Sequence, residues 1–439
     1  MTQDTPRFDD SLPRLAQALI GVLGADAVQT GQFLRNANGQ LAFISAESMQ
    51  EAQTAAAQTA AETAIGRYAR THSAVLQPTQ PGLASLRQQA RAYSEQLALD
   101  SGATLQVSVL EQRIVGQDWL HAPVGRVTTT HPSLHVFFSI KGGVGRSTAL
   151  AVSAAELARQ GRKVLVIDLD LEAPGLGHML LTPEELPRYG LLDAHVESHA
   201  GALDDEFLFD MMSASPFGKG QGLIDVVPAV GTLAQRHPAN VLAKIARAYL
   251  ESFDEEGRTL SFLDRTRQIT DRLTSLKRYD AVLIDARAGL NESTAAALLG
   301  LEAQVLLFGE NTPQTFAGYR YLLAHLARFD RPADDDWLDR FHMVHAKASA
   351  DAAEQQVFRD RAHTIFQEWL YKDVPLDDSQ ADTVTLPEYS VDDPEAPHHA
   401  WPVLRDSNYV EFNPLAKPSE LMPDLYARTY GALLQQFHP

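Results

Sequence analysis

The stretch FFSIKGGVGRSTAL, from Phe137 to Leu150, restricts the fold of this chain more than any other part of the sequence. It begins inside the apolar run Leu134–Ile140, which is typical of a strand buried on both faces of a sheet. Closely spaced glycines follow, and from about Ser147 to Gln160 the sequence favours a helix that ends at Gly161. A buried strand that passes through a glycine-rich turn into a helix opens a β–α unit, in which the strand pairs with parallel neighbours.

The same alternation of strands and helices continues along the chain. Further strands are predicted at Lys163–Asp168, Gly222–Val230, Asp280–Asp285, Ala303–Phe308 and Phe341–Ala346. Helical stretches separate most of them, notably Leu263–Leu276 and Thr315–Arg328. This alternation predicts an α/β fold with a doubly wound, mainly parallel sheet, which we place in residues 131–439.

A different pattern fills residues 1–130, which we interpret as a small α+β domain of unknown role. Its predicted elements are a helix at Ser11–Leu23, a hairpin in FLRNANGQLAFIS, a helical stretch at Ser45–His72, a helix at Leu83–Asp100 and a second hairpin in TLQVSVLEQRIVGQDWL. The Asn-Gly pair between two short apolar runs is the turn signal of the first hairpin. The segment TTTHPS, Thr128–Ser133, is predicted to link the two domains.

The last part of the chain combines an acidic segment with an amphipathic one. Asp373–Asn413 is rich in loop-forming residues and holds one candidate strand at Thr383–Leu386. Glu420–Phe437 is predicted to be an amphipathic helix, and because Arg428 is its only basic residue we expect it to pack on the core rather than on a membrane. The pair His398-His399 is expected at the surface.

Composition and charge exclude several classes of protein. The 439 residues include no cysteine, which excludes disulfides, thiolate zinc sites, iron–sulfur clusters and a cysteine nucleophile. A net charge of −19 argues against unspecific DNA binding and against docking on anionic lipid, since both require basic patches. The polar start MTQDTPRFDD differs from a secretory signal, and no apolar run is long enough to span a membrane. We therefore expect a cytoplasmic protein.

The glycine-rich turn has the chemistry of a phosphate-binding loop. Gly142, Gly143 and Gly145 allow successive backbone N–H groups to curl around phosphate oxygens, and the N-terminus of the following helix adds positive potential. The hydroxyl of Ser147 is placed to hold Mg²⁺, and Thr148 is placed to reach a nearby phosphate. Read alone, the same glycines would also suit a tight strand–helix turn without a ligand.

Three aspartates strengthen the phosphate interpretation. Asp168 and Asp170 lie at the end of the strand KVLVID, and Asp285 ends the strand DAVLID. Because ligands of an open parallel sheet bind outside the carboxyl ends of its strands, these carboxylates and the loop should meet at one edge. Carboxylates beside a phosphate loop are expected where Mg²⁺ lies between them.

These motifs resemble those of the deviant Walker A ATPases, the ParA/MinD group of P-loop NTPases. KGGVGRST is similar to their K-G-G-x-G-K-[ST] loop, DLDLEAPGL (Asp168–Leu176) to their switch I, and LIDARAGL (Leu283–Leu290) to their switch II. The segment FGENTPQTFAGY, Phe308–Tyr319, stands where the family has a strand and a Pro-containing helix start. The resemblance covers Leu134 to about Ala346, is looser beyond it, and leaves out the residues before Thr128.

The resemblance implies a role for each matching position, with ATP and Mg²⁺ as cofactors. Lys141 matches the signature lysine that reaches the phosphates of the partner in an ATP-sandwiched homodimer. Ser147 and Asp285 match the Mg²⁺ ligands, Asp168 supports the metal shell, and Asp170 matches the residue that orients or activates the attacking water. The implied nucleotide-binding residues are Gly142, Gly143, Val144, Gly145, Arg146, Ser147 and Thr148.

Arg146 is the departure from the family pattern, because phosphate-binding loops carry an essential lysine at this position. Arginine keeps the positive charge and can bridge two phosphate oxygens, although its planar fork differs in shape from an ammonium. The chain resembles the KGGVGR branch of MinD-like proteins, some of which belong to bacterial conflict systems. We expect ATP binding to persist and hydrolysis to be slow, with Lys141, Arg146 and Asp170 as the catalytic residues.

The sequence therefore predicts an ATP-driven, dimerising switch with weak ATPase activity that controls an unidentified partner protein, in a conflict, defence or partitioning-type system. The alternative is a nucleotide-binding scaffold that does not hydrolyse ATP. A bacterial tyrosine kinase of the same superfamily would carry a terminal tyrosine cluster, whereas the last residues offer only Tyr426 and Tyr430. Glu172 and Arg287 lie in the two switch segments, where they would either gate a partner or simply be solvated.

Overall fold

The computed structural model describes residues 5–88, 90–100, 102–125, 132–218, 222–254, 256–375 and 385–437. Within it the chain divides into two compact units, Met1–His121 and Ala122–Pro439. The predicted linker Thr128–Ser133 lies largely outside the described residues, as does the boundary at residue 130. Among the described residues, no helix has both the length and the apolar character needed to cross a bilayer.

The first unit is a five-stranded sheet with helices. In chain order its elements are α1 Phe8–Leu23, α2 Ala25–Thr30, β1 Gln32–Arg35, β2 Leu41–Ile44, α3 Glu51–Ile65, β3 Val75–Leu76, α4 Leu83–Gln88, β4 Arg91–Ala98 and β5 Thr104–Glu111. The sheet order is β3-β2-β1-β5-β4, in which β1 pairs antiparallel with β2 and parallel with β5. The α+β character and the hairpin around Asn38-Gly39 are as predicted.

Two predictions for the first unit are wrong. Leu83–Asp100 is not one helix, because only Leu83–Gln88 is helical and β4 follows it. The second hairpin forms between β4 and β5, and not within the segment that begins at Thr104. Residues of β4 such as Glu95 and Gln96 have good helix propensity, but pairing along the whole of β5 outweighs this local preference.

The second unit contains the remaining regular elements. In chain order they are β6 Ser133–Ser139, α5 Arg146–Arg159, β7 Lys163–Asp168, α6 Leu176–Leu180, α7 Leu191–Glu197, α8 Asp205–Phe209, β8 Ser213–Ala214, β9 Leu223–Val227, α9 Thr232–Arg236, α10 Val241–Ala248, β10 Ser252–Phe253, β11 Thr259–Leu260, α11 Phe262–Leu276, β12 Ala281–Asp285, α12 Glu292–Ala295, β13 Gln304–Gly309, α13 Pro313–Leu326, β14 Phe341–Ala348, α14 Ala352–Trp369, β15 Asp373–Pro375, β16 Thr385–Pro387, β17 Trp401–Leu404 and α15 Pro423–Leu434.

Its main sheet has eight strands in the order β17-β14-β13-β6-β12-β7-β9-β8. Every neighbouring pair is parallel except β8 with β9, which is antiparallel. The predicted doubly wound, mainly parallel α/β fold is therefore confirmed. The strand β6, which enters the glycine-rich loop, is central and lies between β12 and β13.

The closing segment packs on this sheet as predicted, with a shorter helix. The helix α15 spans Pro423–Leu434, and short 3₁₀ turns flank it on both sides. Its side chains Tyr426, Tyr430 and Leu433 are buried in the same apolar cluster as α5. The hydroxyl of Tyr426 donates a hydrogen bond to the carboxylate of Glu156 on α5, which ties the end of the chain to the helix that follows the loop.

Two features near residue 400 differ from the sequence interpretation. The strand β17, absent from the predictions, extends the main sheet at its edge beside β14. His398 is fully buried rather than exposed, with Nδ1 at 2.7 Å from the Tyr371 hydroxyl and Nε2 at 3.1 Å from the carbonyl oxygen of Val391. Of the predicted strand Thr383–Leu386, the first residues lie outside the described part, and the strand there is Thr385–Pro387.

Candidate active site

The glycine-rich loop lies at the carboxyl end of β6 and leads directly into α5. Gly143 and Gly145 adopt φ values of 77° and 92°, a left-handed region in which other residues are strained. Their positions for a Cβ atom are open, with nothing within 4 Å. Glycine is thus required here by backbone conformation, and the open space beside it leaves the loop accessible to a ligand.

Hydrogen bonds to main-chain carbonyls fix the loop against the neighbouring strand ends. The Ser139 hydroxyl donates to the Lys141 carbonyl at 2.9 Å, and the Gly289 N–H donates to the Ser139 carbonyl at 2.9 Å. The Leu169 N–H donates to the Asp285 carbonyl at 3.0 Å. The loop and both switch segments are therefore joined through the main chain at one edge of the sheet.

The carboxylate of Asp285 is the centre of the site. Its Oδ2 accepts a hydrogen bond from Ser147 Oγ at 2.5 Å, and its Oδ1 accepts one from Arg146 Nε at 2.5 Å. The residue is only 2% exposed, because β12 is a central strand. The two residues that follow Gly145 are thus tied to a carboxylate far along the chain, as the convergence of strand ends predicts.

Arg146 points toward carboxylates rather than into open space. Besides Asp285, its guanidinium lies 3.2 Å from Ser139 Oγ through Nη1 and 3.5 Å from Asp170 Oδ2 through Nη2. Its side chain is 9% exposed. The sequence interpretation gave Arg146 to phosphate oxygens, whereas in the structure the guanidinium joins the loop to both switch segments.

Asp168 is held mainly by the backbone of its own loop. Oδ1 accepts from the Asp170 N–H at 3.2 Å, and Oδ2 accepts from the N–H groups of Gly175 and Leu176 at 3.1 Å each. Asp168 is also the direct strand neighbour of Asp285. Burial, reinforced by the charge of Asp285, raises the pKa of Asp168 to about 7.

Asp170 faces guanidinium groups on two sides. Oδ2 is 3.5 Å from Arg146 Nη2, and Oδ1 is 4.0 Å from Arg287 Nε. Oδ1 also accepts the Ala173 N–H at 3.2 Å, so the carboxylate is anchored to its loop. Burial raises the pKa of Asp170, and the positive charge of Arg146 opposes that rise.

Glu172 and Arg287 are paired with each other, and neither is simply solvated. Arg287 Nη1 is 2.6 Å from Glu172 Oε1, and the same oxygen accepts a hydrogen bond from the Tyr249 hydroxyl at 2.7 Å. Opposite charges in the two switch segments were the only sequence signal for this pair. Tyr249 had none, because it lies in a segment outside every motif.

The other residues of the predicted set lie along the loop itself. Lys141 is exposed, as a group that acts on a second molecule would have to be, whereas Val144 is 4% exposed and belongs to the apolar core. Thr148 is half-buried at the start of α5. The structure thus brings Arg146 and Ser147 into contact with Asp285, brings Arg146 close to Asp170, and leaves Lys141 exposed.

A cleft of about 530 Å³ runs from the loop to the C-terminal part of the chain. One end is lined by the loop and the start of α5, including Ser147 and Thr148. The other is lined by Tyr409, Phe412 and Tyr430, which sequence reasoning did not assign to the site. Clefts of this size, with an apolar part and a polar part, are typical of small-molecule sites.

Comparison with known families supports the interpretation of the central sheet. Residues 135–304 match the CbiA family, the CobQ/CobB/MinD/ParA nucleotide binding domain. The matched part is less than half of the chain, but it contains the loop, both switch segments and Asp285. No curated protein matches the chain.

Several solved structures resemble the chain at low sequence identity. A ParA family ATPase from Chlorobium tepidum is 17% identical, covering 70% of this chain and 99% of its own, with a TM-score of 0.44. A plasmid partition protein from Borrelia burgdorferi bound to AMPPNP is 14% identical over 70% and 98%, with a TM-score of 0.41. The cell division ATPase MinD of Pyrococcus furiosus is 18% identical over 69% and 97%, with a TM-score of 0.40.

Proposed function

We propose that the second unit binds ATP with Mg²⁺ and acts as a slowly hydrolysing, dimerising switch. One observation carries the proposal: the Ser147 hydroxyl, placed by a glycine-rich loop, contacts the Asp285 carboxylate at 2.5 Å. A hydroxyl at the start of a helix and a carboxylate at a strand end are the two protein groups that hold Mg²⁺ beside phosphates in P-loop proteins. The match of residues 135–304 to a nucleotide binding domain supports the same assignment.

The donor set fits Mg²⁺, although the described residues hold no ready-made cluster of three His, Cys, Asp or Glu side chains for a metal ion. Mg²⁺ keeps several waters and needs one or two protein oxygens plus phosphate oxygens. Ser147 Oγ and Asp285 Oδ2 supply such a pair. When bound, Mg²⁺ neutralises charge that develops on the phosphates.

Within this proposal Asp168 serves the loop rather than the metal directly. Three backbone N–H groups of the switch I segment already occupy its two oxygens. Its place beside Asp285 in the sheet sets it next to the carboxylate that contacts Ser147. The family resemblance implies that Asp168 supports the metal shell, whereas in this proposal it orders the backbone of switch I.

Asp170 is the residue we assign to the attacking water. Its carboxylate is buried, anchored to its own loop and close to Arg146, so it is held at the same edge as the phosphate loop. A general base works best when its pKa approaches the working pH, and burial shifts Asp170 in that direction. Asp170→Ala should retain ATP binding and lose phosphate release, which a coupled phosphate assay measures.

Dimerisation rests on Lys141. The side chain is exposed at the edge of the loop, where it can reach the phosphates held by a second copy of the chain. We further propose that the dimer controls a partner protein in a conflict, defence or partitioning-type system. That part of the proposal rests on the KGGVGR sequence, and a pull-down with protein locked in the ATP state tests it.

A non-hydrolysing scaffold is the second candidate, and the position of Arg146 favours it. The guanidinium neutralises Asp285 and Asp170, the same carboxylates that hydrolysis requires. A site whose carboxylates are neutralised in this way would bind nucleotide without hydrolysing it. Phosphate release by ATP-saturated protein separates the two candidates, since the scaffold gives none above the Asp170→Ala background.

Calorimetry on the full chain tests nucleotide binding. We expect a micromolar Kd for ATP, about −8 kcal/mol, that depends on Mg²⁺. Ser147→Ala should weaken binding only when Mg²⁺ is present. Ser153→Ala is the matched control, because its hydroxyl donates to the Ala149 carbonyl within the same helix at 2.8 Å and the residue is fully buried. Absence of ATP binding by folded protein would refute the proposal.

A further inference from the structure

The two switch segments are joined by an ion pair that the proposed function does not use. Arg287 Nη1 in switch II lies 2.6 Å from Glu172 Oε1 in switch I. The Tyr249 hydroxyl, from the residue that follows α10, donates to the same oxygen at 2.7 Å. Three separate parts of the chain therefore meet at one carboxylate.

The main chain of switch II does not need the Arg287 side chain for its own shape. The Ala286 N–H donates to the Phe137 carbonyl at 3.0 Å, and the Gly289 N–H donates to the Ser139 carbonyl at 2.9 Å. Asn291 then caps the helix that follows by accepting from the Thr294 N–H. The segment is fixed on both sides of residue 287, so the side chain of Arg287 is available for contacts outside it.

Those contacts are with switch I, and they reach the residue assigned to the water. Arg287 Nε is 4.0 Å from Asp170 Oδ1 while Nη1 holds Glu172. The same Asp170 oxygen accepts the Ala173 N–H at 3.2 Å. The Arg287 guanidinium thus contacts two carboxylates of the turn between residues 170 and 173 and stabilises that turn.

Glu172 depends on its two partners more than an exposed carboxylate would. Its side chain is 20% exposed, and within the described residues its Oε2 is buried without a hydrogen-bond partner. Loss of Arg287 would leave this desolvated carboxylate with the Tyr249 hydroxyl alone. The switch I turn would then be expected to open toward water.

We propose that Arg287 is a positioning residue for Asp170, held in place by Glu172 and Tyr249. The inference rests on the proposed function for its kinetic consequence, since it assumes that Asp170 acts on the attacking water. Its structural consequence is independent of that assumption. Without Arg287 the switch I turn should lose order, whether or not nucleotide is hydrolysed.

Hydrogen–deuterium exchange of the full chain without nucleotide is the first test. Asp168 and Asp170 together accept the N–H groups of Asp170, Ala173, Gly175 and Leu176. In Arg287→Ala, peptides covering residues 169–176 should exchange faster by roughly 10-fold, which corresponds to about 1.4 kcal/mol of lost local protection. Unchanged exchange in these peptides would overturn the inference.

The matched control is Arg320→Ala. Arg320 Nη2 lies 2.6 Å from Glu368, the same distance as in the Arg287 pair, but on the exposed surface between α13 and α14. This substitution should leave exchange at residues 169–176 unchanged. An increase as large as that in Arg287→Ala would mean that the effect is general, and it would count against the inference.

Kinetics separate positioning from nucleotide binding. In Arg287→Ala, kcat should fall on the order of 10- to 100-fold, as for a displaced reacting group, while the ATP Kd stays within about twofold. A Kd that weakens as much as kcat falls would make Arg287 a nucleotide ligand and overturn the assignment. Arg287→Lys, which keeps the charge and is the milder change, should lie between the parent and Arg287→Ala in both exchange and kcat.

The charge-swapped double variant Glu172→Arg with Arg287→Glu tests whether the ion pair alone matters or whether the contact of Arg287 with Asp170 is also needed. It restores an ion pair between the switches but places a carboxylate beside Asp170, so kcat should remain low. Full recovery of kcat would show that the pair alone matters and that the contact of Arg287 with Asp170 does not. If the parent binds ATP without hydrolysing it, the catalytic half of the proposed function fails, and the exchange measurements alone decide this inference.

Discussion

Replacing Arg146 with methionine tests whether the guanidinium serves carboxylates or phosphates. The substitution keeps an unbranched stem of similar length in the buried space and removes the charge and all donors. It leaves Asp285 and Asp170 without their shared counter-charge, at side chains that are 3% and 12% exposed. We therefore expect Arg146→Met to destabilise the protein even in the absence of nucleotide.

The size of this destabilisation follows from the burial of Arg146 and of the two carboxylates that it contacts. Breaking a buried ion pair by removing one partner costs about 3–5 kcal/mol, because the remaining charge is uncompensated. Ser147 still donates to Asp285, so the lower part of that range, about 3 kcal/mol, is expected. If the free energy of unfolding falls by about 3 kcal/mol per molar urea, the urea concentration at the unfolding midpoint should fall by about 1 M.

Urea unfolding followed by tryptophan fluorescence measures this loss. Trp337, Trp369 and Trp401 all lie in the second unit and report on its unfolding. Arg320→Met is the control for removing a paired arginine at the surface, where a change within about 0.5 kcal/mol is expected. The comparison is made without nucleotide and without Mg²⁺, so that only contacts within the chain contribute.

A loss of less than 1 kcal/mol in Arg146→Met would refute this account of Arg146. It would mean that the guanidinium contributes little to the carboxylates and is kept for the phosphates. In that case the main effect should appear in ATP affinity, as a loss of about 1.5–3 kcal/mol for a charged hydrogen bond. Arg146→Lys should retain ATP binding and show equal or faster turnover, since uniform binding of ground and transition states does not raise the chemical rate.

Two further predictions concern assembly and acid sensitivity. Lys141→Ala should weaken the ATP-dependent dimer while leaving nucleotide binding intact. Light scattering with a slowly hydrolysed ATP analogue measures the dimer, and a variant that dimerised like the parent would contradict this prediction. Burial lowers the pKa of His135 to about 3 and that of His398 to about 4, so these groups bind protons in the unfolded chain before they do so in the folded one. Stability from this source is complete above about pH 6.5 and falls by up to about 1.4 kcal/mol per pH unit for each group as pH drops toward 4. His398→Gln should therefore reduce the slope of unfolding free energy against pH in that window by up to the contribution of one proton, about 1.4 kcal/mol per pH unit. An unchanged slope would contradict the lowered pKa of His398.

The sequence by itself determined the central sheet and the edge at which the site lies. Continuous apolar runs mark strands buried on both faces, and the parallel arrangement that such strands require brings their carboxyl ends together. Asp168, Asp285 and the glycine-rich loop therefore had to meet at one edge. The positive φ of Gly143 and Gly145 shows the same local logic, since only glycine adopts that backbone without strain.

The tertiary structure alone decided which atoms those residues contact. Arg146 keeps the charge that a phosphate loop needs, but its direction depends on Asp285 and Asp170, which the fold places within 3.5 Å. Pattern reasoning also placed a helix over β4, because helix propensity is local whereas pairing with β5 is not. The contact of Glu172 with Tyr249 joins a residue of switch I to one 77 positions further along the chain that lies outside every motif. Side-chain partners of this kind depend on how distant elements pack, and periodicity along the chain carries no information about them.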